Sequence, residues 1–241
     1  MGSSENDWCV VSGTGGYLGA AIAKQMSRRG FRVVGIDRRT PLEPEALELG
    51  IKVDLGRGPT FQHFDDIGGR LLHVIHAAGG ALKWEVEGQK PTWQSVTATI
   101  QDNLVSSLEL IEGYRPYFAP RSRVTLISSI NSLGGYGLPV YSAAKAALHG
   151  LTRSLADDFE KFGQEIHCLT LGTVDHPGVR ALHAEDSNHF ERLKAQFPNR
   201  QIPSASEMAH EIVKYAIEEP EVNGKVTILD FGQSGVHHAP E

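Results

Sequence analysis

A short apolar run, Trp8-Cys9-Val10-Val11, leads straight into Ser12-Gly13-Thr14-Gly15-Gly16-Tyr17-Leu18-Gly19, and this junction limits the possible folds more than any other stretch. β-Prone residues without polar alternation fit a strand buried on both faces, as in a parallel sheet. The glycines allow a tight turn and a close approach of backbone. Ala20, Ile22, Ala23 and Met26 give residues 20–29 a helical period, and Gly30 stands at the expected C-cap. A second β-rich run, 31–36, ends at Asp37, 24 residues after Gly13. Strand, glycine turn, helix, strand and acid in that order form a dinucleotide-binding layout. The glycines admit a pyrophosphate, the helix start offers free N–H groups and a positive dipole, and the acid accepts ribose hydroxyls.

The same alternation continues and predicts an α/β fold: a Rossmann-type doubly wound parallel sheet of about seven strands flanked by helices. Further strands are expected at 51–55, 71–77, 124–128, 166–171 and 226–229. Helices are expected over 92–118, 141–162 and 207–218, with a loop and short helix in 56–69. Ligands of such sheets sit beyond the carboxyl ends of the strands. Tyr141 and Lys145, four apart on a helix, share one face. A nearby cation favours the phenolate, so Lys145 is expected to lower the Tyr141 pKa. A tyrosine so tuned exchanges a proton near neutral pH, as carbonyl–alcohol interconversion requires.

A chain of 241 residues fits one domain over 1–241, with flexible tails at 1–7 and 236–241. The polar segment 178–203, punctuated by Pro198 and Pro203, reads as a substrate lid. A net charge of −6 gives no pull toward nucleic acid or an anionic membrane. No apolar run reaches the length of a membrane span, and the polar start lacks a signal peptide's hydrophobic core. Cys9 and Cys168 fall in predicted strands as reduced packing residues, consistent with a cytoplasmic location. The eleven histidines, among them His183, His189, His237 and His238, show no metal-ligand spacing, so no metal is expected.

Several ordered stretches resemble the short-chain dehydrogenase/reductase family over residues 8–235. Val74-Ile75-His76-Ala77-Ala78-Gly79 is similar to the family's Asn-Asn-Ala-Gly strand end, and Asn103 stands where its helical asparagine would. Leu126-Ile127-Ser128-Ser129 resembles the strand carrying the serine. Leu171-Gly172-Thr173-Val174-Asp175-His176-Pro177 resembles the loop over the nicotinamide, and residues 223–232 the last strand. The resemblance implies an NAD(P)-dependent oxidoreductase acting on a small alcohol or ketone. Tyr141 would be the general acid/base, Lys145 would hold the nicotinamide ribose, Ser129 would bind the substrate oxygen, and Asn103 would complete a proton relay through water. Cofactor contacts are implied at Gly13, Thr14, Gly16, Tyr17, Leu18, Gly19, Asp37, Arg38, Asp54, Leu55, Ala77, Ala78, Gly79, Gly172 and Val174, beside Tyr141 and Lys145. A homo-oligomer, tetramer or dimer, is implied as well. The helices 92–118 and 141–162 would form its interface, with apolar Ala98, Val105 and Ile111 on one and Ala144, Leu148, Leu151 and Leu155 on the other.

The departures matter as much. Tyr17 occupies the middle glycine position of the usual turn, and Gly13-x-x-Gly16-x-x-Gly19 fits the extended subfamily, as does His76. That keeps a nucleotide-sugar epimerase or dehydratase in view, although 241 residues leave no room for that subfamily's larger substrate domain. A sensor that binds NAD(P) without turnover is the other alternative; the serine, tyrosine, lysine and asparagine together argue against it. Leu171 replaces a proline, Phe231 a glycine, and His176 stands where a threonine often holds the carboxamide. Asp37 favours NAD by binding the ribose and repelling a 2′-phosphate, while Arg38 and Arg39 leave NADP open. Trp84 and Trp93 flank the loop after the fourth strand and either line a substrate pocket or bury surface. Family spacing selects Ser128, 13 residues before Tyr141, and the strand pattern selects Ser129. Only one of two successive strand residues faces the site, and Ser129 is preferred because shortening a loop costs less than slipping a strand register.

Overall fold

The computed structural model describes residues 7–58, 69–134, 137–182 and 188–237. Seven strands, β1 (Asp7–Ser12), β2 (Arg32–Asp37), β3 (Leu49–Lys52), β4 (Arg70–His76), β5 (Phe118–Ser129), β6 (Glu165–Leu171) and β7 (Val226–Leu229), pair in the order β3-β2-β1-β4-β5-β6-β7. Every pairing is parallel. The chain order reverses between β1 and β4, which opens a crevice above their carboxyl ends.

Side chains alternate along each strand, and so the sheet has two cores. Cys9 and Val11 of β1 pack with α1 (Tyr17–Arg28) and, through Met208, Ile212 and Val213, with the helix Ala205–Glu218. Trp8 and Val10 face the other way, toward Leu110, Ile111, Leu148 and Phe159. The remaining helices are α2 (Lys83–Val86), α3 (Trp93–Ile100), α4 (Ser106–Tyr114), α5 (Pro139–Glu160), α6 (Pro177–Leu182) and α7 (His189–Ala195); Ala205–Glu218 is α8, and α9 is Gln233–His237. Capping boxes, Thr92 with Ser95 and Ser204 with Glu207, start α3 and α8. No helix among the described residues is long and apolar enough to cross a membrane.

Five expectations are corrected. The third strand lies at Leu49–Lys52, so Asp54 and Leu55 belong to the loop after it. The helix expected over 92–118 is broken by a π-helical turn, Gln101–Val105, between α3 and α4. Within that turn Asn103 is buried, and its Nδ2 donates to Thr99 O at 3.0 Å. The tyrosine helix begins at Pro139 and ends at Glu160. Asp7, assigned to a flexible tail, is buried in β1 and paired with Arg70 at 2.8 Å. Ile111, Ala144 and Leu148, expected at an interface between chains, are buried inside this one, whereas Val105 and Leu108 are exposed. Most of 56–69 and His183 and His238 lie outside the described residues.

Candidate active site

A cleft of about 990 Å³ lies along the carboxyl ends of the strands. Gly13, Asp37 and Ala77 line one part of it and Ser129, Tyr141 and Gly172 another. Of the residues expected at a site, Thr14 and Asn103 do not reach the cleft. Thr14 is buried and its hydroxyl meets no hydrogen-bond partner among the described residues. Trp84 donates to Thr99 Oγ1 at 3.2 Å and Trp93 is 81% exposed, so neither lines the cleft.

The glycine turn is bound tightly to its surroundings. Gly13 N–H donates to Ile36 O at 2.8 Å, and its φ of +83° with Ala77 C only 2.8 Å from a would-be Cβ excludes any side chain. Asp37 closes the turn from β2: Oδ2 accepts Gly15 N–H at 2.9 Å and Oδ1 accepts Arg39 N–H at 2.8 Å. Arg38 lies between Asp102 at 3.4 Å and Asp54 at 3.5 Å, and Arg57 reaches Asp102 at 3.2 Å. Burial raises the Asp102 carboxyl while the two arginines oppose that rise.

His76, at the end of β4, joins the turn to the π segment. Its Nδ1 lies 2.9 Å from Ser12 Oγ and its Nε2 3.2 Å from Ser106 Oγ. Ser106 donates its proton to Asp102 O at 2.9 Å, so it accepts from His76 Nε2–H. Nδ1 then accepts the Ser12 hydroxyl, whose oxygen takes the Ala78 N–H at 3.2 Å. Each group in the chain is satisfied by a neutral imidazole, and burial holds the His76 pKa down at about 3.

Tyr141 and Ser129 both line the cleft, and the Ser129 hydroxyl is close enough to act on the phenol. Ser129 Oγ also donates to Asn131 Oδ1 at 3.0 Å. Ser128 also lines the cleft, donating to Lys145 O at 2.9 Å and meeting His149 Nε2 at 3.1 Å. Lys145 is buried; Nζ donates to Ile127 O at 2.9 Å and stands 5.8 Å from the Tyr141 ring centre. Burial lowers its pKa to about 8. The expected lowering of Tyr141 is not what this arrangement yields. Burial raises the phenol, the nearby Ser129 hydroxyl opposes that, and the Glu85 charge adds to it. Asn103 is committed elsewhere than to Lys145: Oδ1 accepts Gly80 N–H at 2.8 Å and Nδ2 donates to Gly80 O at 3.0 Å. Gly79 must therefore lack a side chain, since at φ +110° a Cβ would stand 2.6 Å from Asn103 Oδ1.

Three contributors were not found by sequence reasoning. Glu85, from α2, accepts the N–H groups that open α5. Gln233 accepts Thr173 N–H at 2.7 Å and so fixes the loop after β6. His149 meets the hydroxyls of Ser128, Ser132 and Thr170 within 3.3 Å. None belongs to a local motif; each depends on a contact distant in sequence. Phe231, which replaces a glycine, keeps the left-handed backbone with φ of 56°. Tyr17 and His176 stack at 5.2 Å between ring centres. Among the described residues no three His, Cys, Asp or Glu side chains converge to hold a metal ion.

Comparison with known proteins gives a consistent result. A family model described as enoyl-(acyl carrier protein) reductase matches residues 16–234. Acetoacetyl-CoA reductase from Cupriavidus necator is 28% identical over 246 residues, covering 95% of this chain and 96% of that protein. The 3-oxoacyl-[acyl-carrier-protein] reductase of Rattus norvegicus is 24% identical, covering 93% and 96%. In fold, ligand-free Thermoplasma acidophilum aldohexose dehydrogenase superposes with a TM-score of 0.85 at 21% identity, covering 100% of this chain and 98% of its own. A 3-oxoacyl (acyl-carrier-protein) reductase from Agrobacterium tumefaciens, with NADP bound, gives 0.81 at 20%, covering 94% and 93%. With the parallel seven-stranded sheet and the cleft at its switch point, these matches show that the chain belongs to the short-chain dehydrogenase/reductase family of oxidoreductases.

Proposed function

We propose that the chain is an NAD(P)-dependent oxidoreductase that interconverts a small alcohol and its ketone, with Tyr141 as general acid/base. The observation that carries this is that Ser129, Tyr141 and Lys145 line the same cleft as Gly13 and Asp37. A dinucleotide fits the residues present. Gly13, Gly16 and Gly19 line the cleft at the start of α1, where a helix offers unpaired N–H groups to a diphosphate. Leu18, Ala77, Ala78, Gly172 and Val174 also line it, and Asp54 and Leu55 stand near Arg38 at the adenosine end. Asp37 retains acceptor capacity for ribose hydroxyls after its two backbone bonds. NAD is favoured over NADP because Arg38 and Arg39 are already paired with carboxylates.

Bound there, the nicotinamide supplies or accepts the hydride. In reduction, Tyr141 gives its hydroxyl proton to the carbonyl oxygen as charge develops on it, and Ser129 donates a hydrogen bond to the same oxygen. A phenol raised by burial holds that proton until it is needed. In oxidation Tyr141 is the base, and the Lys145 charge favours the phenolate formed. Asn103 acts by fixing the Gly79–Gly80 edge of the cleft.

The test is to follow nicotinamide absorbance with both reduced cofactors against a panel of ketones headed by 3-oxoacyl thioesters, the class named in several relatives. Turnover with at least one ketone is expected; none with any of them, or with the matching alcohols and oxidised cofactors, overturns the proposal. Exposed Val105 and Leu108 on the outer side of the π turn and α4 support a homo-oligomer, tetramer or dimer, and a monomer mass by light scattering would overturn that.

A further inference from the structure

Two departures from the family pattern, Tyr17 in the glycine turn and His176 after β6, touch each other. Their rings are stacked with centres 5.2 Å apart and planes 22° from parallel. The topology makes this contact unusual. Tyr17 follows β1 and His176 follows β6, and β4 and β5 lie between those strands. Three strand spacings, roughly 14 Å, separate the two points of origin. The contact therefore joins segments that originate on opposite sides of β4 and β5, and Ala77, Ala78 and Ser129 line the same cleft. Both rings line it too.

Each ring has a firm base. Tyr17 is the first residue of α1. His176 Nδ1 accepts Val179 N–H at 3.2 Å. The preceding Asp175 donates its N–H to Pro203 O at 2.8 Å and takes two bonds from Arg180, at 2.7 and 2.5 Å. Tyr17 is 42% exposed, so the pair sits at the outer surface of the cleft rather than in the core.

We propose that Tyr17 and His176 form an aromatic clasp bridging the two walls of the cleft, which a dinucleotide must open both to enter and to leave. This rests on the dinucleotide reading above. A clasp and a simple contact leave different kinetic signatures. Loss of a contact raises only the dissociation rate, whereas loss of a barrier on the path raises association and dissociation together and leaves affinity unchanged.

Stopped-flow fluorescence with NADH and with NADPH separates these cases in the wild type, Tyr17→Ala, His176→Ala, the double variant and Tyr17→Phe. An aromatic pair of ordinary strength predicts both rates roughly three- to tenfold faster in either single variant, with Kd held within about twofold. The double variant should be no faster than the faster single one, because the second change removes a contact already lost. Tyr17→Phe keeps the ring and should keep the slow exchange. Unchanged rates in the single variants, a rise in dissociation alone, or multiplied effects in the double variant would each overturn the clasp while leaving dinucleotide binding intact. A correctly folded wild type that binds neither dinucleotide overturns the cofactor reading itself, and the clasp with it.

Discussion

The carboxylate of Glu85 caps the backbone of Tyr141: the Tyr141 N–H lies 3.3 Å from Oε1 and 3.2 Å from Oε2, and the Val140 N–H lies 2.6 Å from Oε1. Helix α5 has no side-chain cap of its own, because Leu138 stands at the N-cap with Pro139 after it. A buried acid from α2 supplies what the local sequence lacks, satisfying orphan N–H groups and complementing the helix dipole. The same charge stands near the phenol and makes its ionisation harder.

Glu85→Gln keeps an acceptor for these N–H groups and removes the charge. The Tyr141 pKa should fall, because one of the causes that raise it is gone. In the oxidative direction, where the phenolate is the active base, the rising limb of kcat against pH should move to lower pH. A limb that stays in place or moves to higher pH in a variant of normal thermal stability would show that Glu85 is a structural cap alone.

Tyr141→Phe should leave dinucleotide binding in place and reduce turnover by about 10²- to 10⁴-fold, the usual contribution of a general acid/base. Ser129→Ala should follow it in direction, since Ser129 lines the cleft beside Tyr141. Ser128→Ala should instead cost about 1 kcal/mol of stability by breaking the bond to Lys145 O, with a smaller loss of turnover. Steady-state kinetics and urea unfolding on the three variants check this, and a larger kinetic loss in Ser128→Ala than in Ser129→Ala reverses the assignment.

The fold was legible because its signals are local. The run Trp8–Val11 with the glycines after it, and the acid at Asp37, specify a strand, a turn and a second strand without reference to the rest of the chain. What escaped was set by contacts distant in sequence. The π turn holds the Asn103 amide that reaches Gly80, 23 residues away, a contact no helical period encodes. The state of Tyr141 was misjudged because the i, i+4 spacing to Lys145 says nothing of burial or of Glu85, 56 residues earlier. Interface residues were misassigned at Ile111 and Leu148 because apolar periodicity does not say which neighbour covers a side chain.

On the proposed reading, cofactor choice turns on the Asp37 carboxylate. Asp37→Ala removes the ribose acceptor and the charge that repels a 2′-phosphate, and it frees Arg39, which lies 3.6 Å from Asp37 Oδ1. Affinity for NAD should fall and affinity for NADP rise, changing their ratio by about tenfold or more, or ~1.4 kcal/mol. Titration of both cofactors into both proteins is the measurement. Preference for NADP in the wild type, or an unchanged ratio in the variant, would assign the choice to Arg38 and Arg39.

Acid stability should be governed by three buried histidines. Burial is the main cause that lowers His76 and His167 to about 3 and His73 to about 4, from an ordinary value of 6.5. Folded, they remain neutral over the range in which the unfolded chain gains protons. The stability they contribute is complete above pH 6.5 and is lost as pH falls from there toward 4, since the unfolded state binds more protons. Near pH 5 each should contribute roughly 1.4 kcal/mol of lost stability per pH unit. The Asp175 carboxyl, held low by Arg180, has an ordinary value of 3.8 and stays ionised at pH 5. Urea unfolding at pH 7, 6 and 5 should show a falling midpoint. His76→Asn removes one of the titrating groups and should flatten that fall. An Asn at this position still offers an amide to Ser12 and Ser106, although its shorter reach cannot span both. The variant should therefore be less stable than the wild type at pH 7 yet lose less on acidification, and those opposite signs separate proton linkage from simple destabilisation. A midpoint independent of pH in the wild type, or an equal slope in both proteins, would show that these imidazoles are not held neutral by the fold.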